Sequence, residues 1–410
     1  MKKVILSMIL ILSISAGFAQ KKNVSIAKNK ILSETPDFSG AREAIKPALT
    51  DPTTKDDAKT WYTAGLIGYK QNEALLTQQY TKGKLEDKDT QTKGEALLES
   101  YDYFLNAYKL DSLPDKKGKI KPKYQKDIKE KIKEYFTTQQ NLFAYGAFLF
   151  EKNDYPGTIK TFETYLGIPK LPMMQTEKLS TTDSTYLIVK YYTAYACVQA
   201  GDSDKAIAYY KDMCDDGYEE VLVHQLLYEQ YMNKKDTTDA ITVLKKGFEK
   251  YPKEAWFLQN LINYYIYSSH PKEAIVYLDK AIESEPNMAQ YRFVKGNLDE
   301  SLGNTEDARK DFQKALELDP TLAEAHAGLG RLVFNNAVKM ADAANDIKDN
   351  VKYNAAKKLA DAEFAKSIPY FKKAVELNPK EIEYKRTLKN LYYRLKMDKE
   401  YEAIDKEMNE

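Results

Sequence analysis

The residues of this chain best suited to catalysis or metal binding are three histidines, His224, His270 and His326, and two cysteines, Cys197 and Cys214. A metal site needs three or four such ligands, or carboxylates beside them, at a spacing that gathers them to one point. None of the histidines has a second His or a carboxylate at such a spacing. His224 and His326 fall on the packing face of helical stretches and His270 in a turn before Pro271, so all three read as structural. There is no Gly-rich phosphate loop, no H-E-x-x-H and no G-x-S-x-G. Carboxylates such as Glu300, Glu306 and Asp307 read as exposed helix charge. The sequence thus predicts no catalytic residue, no metal and no cofactor: not an enzyme. With 62 Lys+Arg against 61 Asp+Glu it carries no basic excess to neutralise phosphates, and nucleic acid is not expected as a partner.

The first residues look like an export signal. Lys2 and Lys3 precede an apolar run from Val4 to Ile14, and Gly17 and Ala19 supply the small residues a signal peptidase needs. Residues 1–19 are therefore expected to be removed, leaving Gln20 first. The run is shorter than the roughly 20 apolar residues that span a bilayer, and Lys21-Lys22 closes it. No second long apolar stretch follows, so no transmembrane segment is expected in the mature chain. Its expected location is outside the cytoplasm, periplasmic or secreted.

The elements that position everything else announce themselves by repetition. Pro252, Pro286 and Pro320 are 34 residues apart, and each ends a similar phrase: LKKGFEKYP, LDKAIESEP, FQKALELDP. A fourth, FKKAVELNP, ends at Pro379, 59 residues on, which is 34 plus 25. A fixed period of 34 in helix-forming sequence points to stacked helix–turn–helix units.

From these phrases the sequence resembles the tetratricopeptide repeat (TPR) family. Unit 289–322 carries Gly296, the turn glycine Gly303, then Ala308, Phe312, Ala315 and the closing Pro320. Unit 255–288 matches through Leu258, Leu261, Tyr265, Ala274, Leu278, Ala281 and Pro286. Units 221–254, 187–218 and 139–170 match less completely, and a divergent one at about 58–112 starts with Trp61, Gly65 and Gly68. The resemblance implies an all-α fold, a right-handed solenoid of antiparallel helix pairs. Small residues such as Gly296 and Ala308 would let helices approach, and Phe312 would fill the gap between units.

Domain boundaries follow. After the leader, 20–32 is expected as a flexible lead-in, extended or weakly helical, and 33–122 as divergent N-terminal helices. A repeat array at 123–380 carries a helical insert at about 335–366, and 381–410 forms capping helices. The polar stretch 79–93 reads as a solvated loop. The insert reads as two lengthened helices with a bend near Asp349-Asn350. Stretches 113–123 and 171–184 read as irregular connections. Within unit 187–218, Cys197 and Cys214 would lie roughly 10 Å apart along antiparallel helices at about 1.5 Å per residue. That is too far for a disulfide, and none is expected.

By the repeat register, the first helices present Tyr191, Tyr195, Gln225, Trp256, Gln259, Asn263, Phe293, Asn297, Arg331 and Asn335 to the inner groove. Rings beside amides suit an extended peptide or a partner helix. Family members that bind acidic C-termini use Lys, Asn and Arg in such places; here Asn263, Asn297 and Arg331 remain, while Gln225 stands where the Lys would be. The expected function is an interaction scaffold of the cell envelope that binds a protein or peptide in its groove. The alternative is an accessory or regulatory subunit of an envelope enzyme, secretion or nutrient-uptake complex. The FAQ cleavage site followed by lysines also resembles periplasmic TPR proteins of the Bacteroidota.

Overall fold

The computed structural model describes residues 20–114, 118–138, 141–214 and 220–409. The expected leader, 1–19, lies outside them. Every regular element among the described residues is helical. The chain divides into two compact units, one ending at Thr237 and the other beginning at Thr238.

The first unit opens with helix α1 over 20–31, where the sequence predicts a flexible lead-in. Val24, Ala27 and Ile31 fall three or four residues apart, and all three are buried against Ala41 and Ile45 of α2 (Phe38–Thr50) and Ile67 of α3 (Ala58–Lys82). That apolar stripe, short and diluted by lysines, makes 20–31 a packed helix rather than a flexible lead-in. The solvated loop expected at 79–93 is also absent. Helix α3 runs to Lys82, ends on Gly83 at φ 81°, and α4 (Asp87–Asp111) begins four residues later. Lys93 is buried, its Nζ donating to Gln79 Oε1 at 2.7 Å, so the ends of the two helices next to their turn are joined by polar side chains.

The connection before α5 (Gln125–Thr137) is held by one carboxylate. Asp111 Oδ2 accepts from the backbone N–H groups of Lys123, Tyr124 and Gln125 at 2.8, 2.7 and 3.1 Å, satisfying donors that a helix start leaves unpaired. Pairs α6 (Leu142–Glu151) with α7 (Tyr155–Gly167), and α8 (Ser184–Gln199) with α9 (Ser203–Met213), follow, then α10 (Glu220–Asn233). Between α7 and α8, two single 3-10 turns bury Ile168 and Met174, and Glu177 accepts from both Lys129 and Lys133 at 2.6 Å. Phe104, Ile132, Tyr135, Leu142 and Phe162 lie at the centre of this unit's main core.

The second unit contains α11 (Thr237–Lys250) from its second residue, and α12 (Ala255–Tyr267), α13 (Pro271–Ser284), α14 (Ala289–Ser301) and α15 (Thr305–Leu318). Then come α16 (Ala323–Asn345) and α17 (Asn350–Leu377), two long helices in extensive contact, turning over 346–349 with Asp349 capping α17. Helices α18 (Ile382–Arg394) and α19 (Asp398–Asn409) close the unit, and α19 buries only Ile404.

Two local devices recur. The residue ending six of the turns within pairs has positive φ: Asn153, Gly201, Lys235, Ser269, Gly303 and Lys396. The next residue's N–H then reaches back five places, from Asp202 to Cys197 O, Asp236 to Tyr231 O, His270 to Tyr265 O and Asn304 to Asp299 O, at 2.8–2.9 Å. This is the helix-ending bond that a left-handed residue permits. The second device sets a glycine against a phenylalanine. A Cβ on Gly146 would meet the Phe162 ring at 2.1 Å, and one on Gly296 the Phe312 ring at 2.7 Å. Here a missing side chain makes room for the ring that fills the pair.

Candidate partner-binding surface

In the second unit, α12, α14 and α16 are the first helices of successive pairs. Three expected groove residues meet around one acid that the sequence reading placed among exposed charges. Arg331 on α16 donates through Nε to both oxygens of Glu300 at 3.0 and 2.9 Å, and through Nη2 to Glu300 at 2.6 Å and to Asn297 Oδ1 at 2.8 Å. Asn335 Nδ2 adds a bond to Glu300 at 3.3 Å. The Glu300 side chain is only 15% exposed. Glu300 is therefore the partner that pins the Arg, not loose helix charge. A ligand carboxylate seeking Arg331 would have to displace one already bound in a two-pronged pair. The partial likeness to an acidic-terminus clamp thus loses its arginine as well as its lysine.

The bond between Arg331 and Asn297 joins residues 34 apart, so equivalent places on neighbouring first helices touch. On α12, Gln259 and Asn263 are exposed and have no protein partner among the described residues. Trp256 is half-buried, edge-on to Phe257 at 5.2 Å. Phe293, expected in the groove, is half-buried with its ring 6.0 Å from Phe312 and belongs largely to packing.

In the first unit, α8 presents Tyr191, half-buried, and Tyr195, exposed; Gln225 is half-buried on α10. Tyr195 belongs to a ring cluster that sequence reading did not assemble. Phe150, at the end of α6, contacts Tyr192 at 5.1 Å, Tyr195 at 5.8 Å and Tyr155 of α7 at 5.9 Å. The only signal in the sequence was the pair of aromatic-rich strings ending α6 and filling α8, and their meeting depends on how the pairs stack.

The titratable candidates occupy structural places. His224 is buried in α10, His326 Nε2 lies 3.0 Å from the Pro320 carbonyl, and His270 stands just before α13 with its Nδ1 2.8 Å from Ser268 O. Among the described residues no three His, Cys, Asp or Glu side chains gather as a metal site. Cys197 is a free thiol, pushed up to about 12 by burial, and no disulfide joins it to Cys214. No helix among the described residues is long and apolar enough to cross a membrane.

Against this geometry the comparisons are specific in one place. Residues 296–336 match the family model described as TPR repeat. The match runs from Gly296 on α14, through α15, to Asn336 on α16, and so includes Asn297, Glu300, Arg331 and Asn335. No curated protein matches the chain. Among solved structures, a crystal structure of MamA is 19% identical with a TM-score of 0.33, covering 45% of this chain and 95% of that one. MamA 41-end from Desulfovibrio magneticus RS-1 is 16% identical, TM-score 0.33, covering 48% and 96%. YrrB, titled a TPR protein with an unusual peptide-binding site, is 17% identical, TM-score 0.33, covering 52% and 96%. Nothing about a ligand of this chain follows from overlaps of that size.

Proposed function

We propose that this chain is a non-catalytic interaction scaffold, exported to the cell envelope, that binds a peptide or partner protein along the exposed face of its first helices. The observation that carries the reading is the contact of Arg331 with Asn297, one period apart. That contact makes α14 and α16 one continuous surface, and on α12 Gln259 and Asn263 leave their amides open. A row of amides beside half-buried rings offers hydrogen bonds to an extended backbone and apolar area beside them. Export is supported by the pattern of Lys2, Lys3, Val4 to Ile14 and Ala19.

The test is affinity capture from an extract of the source cells, comparing the parent with Gln259→Ala/Asn263→Ala. A protein identified by mass spectrometry that is captured by the parent and depleted at least several-fold with the variant, at unchanged circular dichroism, fits the reading. Equal capture by both contradicts it. The intact mass of the purified parent checks export separately: a chain beginning at Gln20 is expected, and one that retains Met1 to Ala19 after fractionation would refute it.

A further inference from the structure

We propose that the cleft between the lengthened helices α16 and α17 and the turn joining α18 to α19 binds an acidic α-amino acid. The proposal is independent of the partner surface on the first helices. The cleft measures 560 Å³, inside the range of about 300–1,000 Å³ usual for small-molecule sites. Asp342 on α16, with Lys357 and Asp361 on α17, line its walls, and Arg394 and Lys396 close it from the turn. The wall residues all fall within the insert at 335–366, so this cleft exists because the last pair of the array is lengthened.

Arg394 is the anchor. Its Cζ lies 4.0 Å from the centre of the Phe364 ring, itself 1% exposed, so one face of the guanidinium is held against the core. Its one acid contact, Nε to Asp361 Oδ1 at 3.4 Å, is an ion pair without a hydrogen bond. Arg331, by contrast, spends four hydrogen bonds on Glu300 and Asn297. The Nη groups of Arg394 therefore have no protein acceptor among the described residues, and they can offer a carboxylate two parallel bonds. Lys357 and Lys396 have no acid partner among the described residues, and neither has Asp342 a basic one.

The open charges are thus the outer edge of Arg394, Lys357 and Lys396 against one acid, Asp342. The complementary ligand carries two carboxylates and one ammonium, which is the charge set of an acidic amino acid at neutral pH. The side chains of Asn345 and Tyr353, also in the lining and unpartnered, can serve either group because each donates and accepts. A dicarboxylate without an ammonium would set a like charge beside Asp342, and a neutral sugar would leave the cations unanswered. The apolar part of the lining is only Ala341, Ala344 and Leu395, too little to hold an uncharged greasy ligand.

The full chain is titrated by calorimetry, at matched ionic strength, with L-glutamate, L-glutamine, N-acetyl-L-glutamate and glucuronate. L-glutamate is expected to bind at one site. Glutamine lacks the second carboxylate, N-acetylglutamate lacks the ammonium and glucuronate lacks both, so each should bind at least about tenfold more weakly. Lys357→Gln and Asp342→Asn change exposed residues, so circular dichroism should stay the same in both. Each should weaken glutamate binding about tenfold. Asp342→Asn should also erase the preference for glutamate over N-acetylglutamate, which a mere loss of structure would not do. Arg394→Lys keeps the charge but loses the two-pronged edge, and should weaken glutamate binding about tenfold as well. No heat from L-glutamate at millimolar concentration overturns the proposal. So does equal binding by the parent and Lys357→Gln, or glucuronate binding as tightly as glutamate.

Discussion

Ser269 shows what a single residue costs when it stands in a place suited to glycine. It ends the inner turn between α12 and α13 at φ 60°, where the repeat one period later uses Gly303 at φ 81°. A side chain in that region costs about 1 kcal/mol or slightly more. Ser269→Gly is therefore expected to raise the unfolding free energy by about 1 kcal/mol, read from denaturant melts, less the entropy glycine adds to the unfolded chain. Gly296→Ala should act in the opposite sense. The added methyl would meet Phe312 at 2.7 Å, and displacing that buried ring should cost about 1–3 kcal/mol. Arg331→Ala should destabilise by about 1–3 kcal/mol, because it leaves Glu300 largely buried without its partner. A melting temperature unchanged by Arg331→Ala would mean that the pair is only a surface contact.

At the scale of elements, the helix pairs with sharp repeats were legible from spacing alone. The phrases ending at Pro252, Pro286, Pro320 and Pro379 end the second helices α11, α13, α15 and α17 within two residues. The turns were legible only where glycine marks them. Asn153, Lys235 and Ser269 take the same backbone turn without a marker, because the five-residue-back hydrogen bond stabilises what their side chains disfavour. Helix α1 is only weakly legible because its apolar face is three residues wide, and the helix ends within 79–93 are illegible because their buried partners are polar. Glu300 was misread since nothing local distinguishes a surface acid from one whose arginine arrives 31 residues later.

The connection between α7 and α8 carries its own pH dependence. Hydrogen bonds and charge from Lys129 and Lys133 pull the Glu177 carboxyl from 4.5 down to about 2. A carboxyl lowered on folding contributes its stabilisation fully above about pH 4.5 and loses it as the pH falls toward 2. Amide protection over 168–177, taken relative to the intrinsic exchange rate at each pH, should therefore fall in that window, and Glu177→Gln should remove that fall. Protection factors that stay unaltered from pH 5 to pH 2 in the parent would contradict the assignment.

For the molecule as a whole, stacked pairs need an end that faces water. In the second unit, Leu388, Leu391 and Tyr392 of α18 cover Phe364, Ile368 and Phe371, while α19 turns its charged side outward. A chain ended at Pro379 should melt at a lower temperature and self-associate in light scattering, since an apolar face would then meet solvent. The proposed scaffold role is a claim about which surface meets the partner.

That claim is tested most directly by site-specific photo-crosslinking. A photoreactive residue is placed at Gln259 or Asn263, on the exposed first-helix face, and in parallel at Lys280 or Lys310, on the second helices α13 and α15. Each protein is irradiated in living source cells and the adducts are identified by mass. The account predicts one recurrent protein adduct from the first-helix positions and none, or only scattered ones, from the second-helix positions. The same adduct arising from Lys280 and Lys310 alone would place the partner on the opposite surface and contradict it.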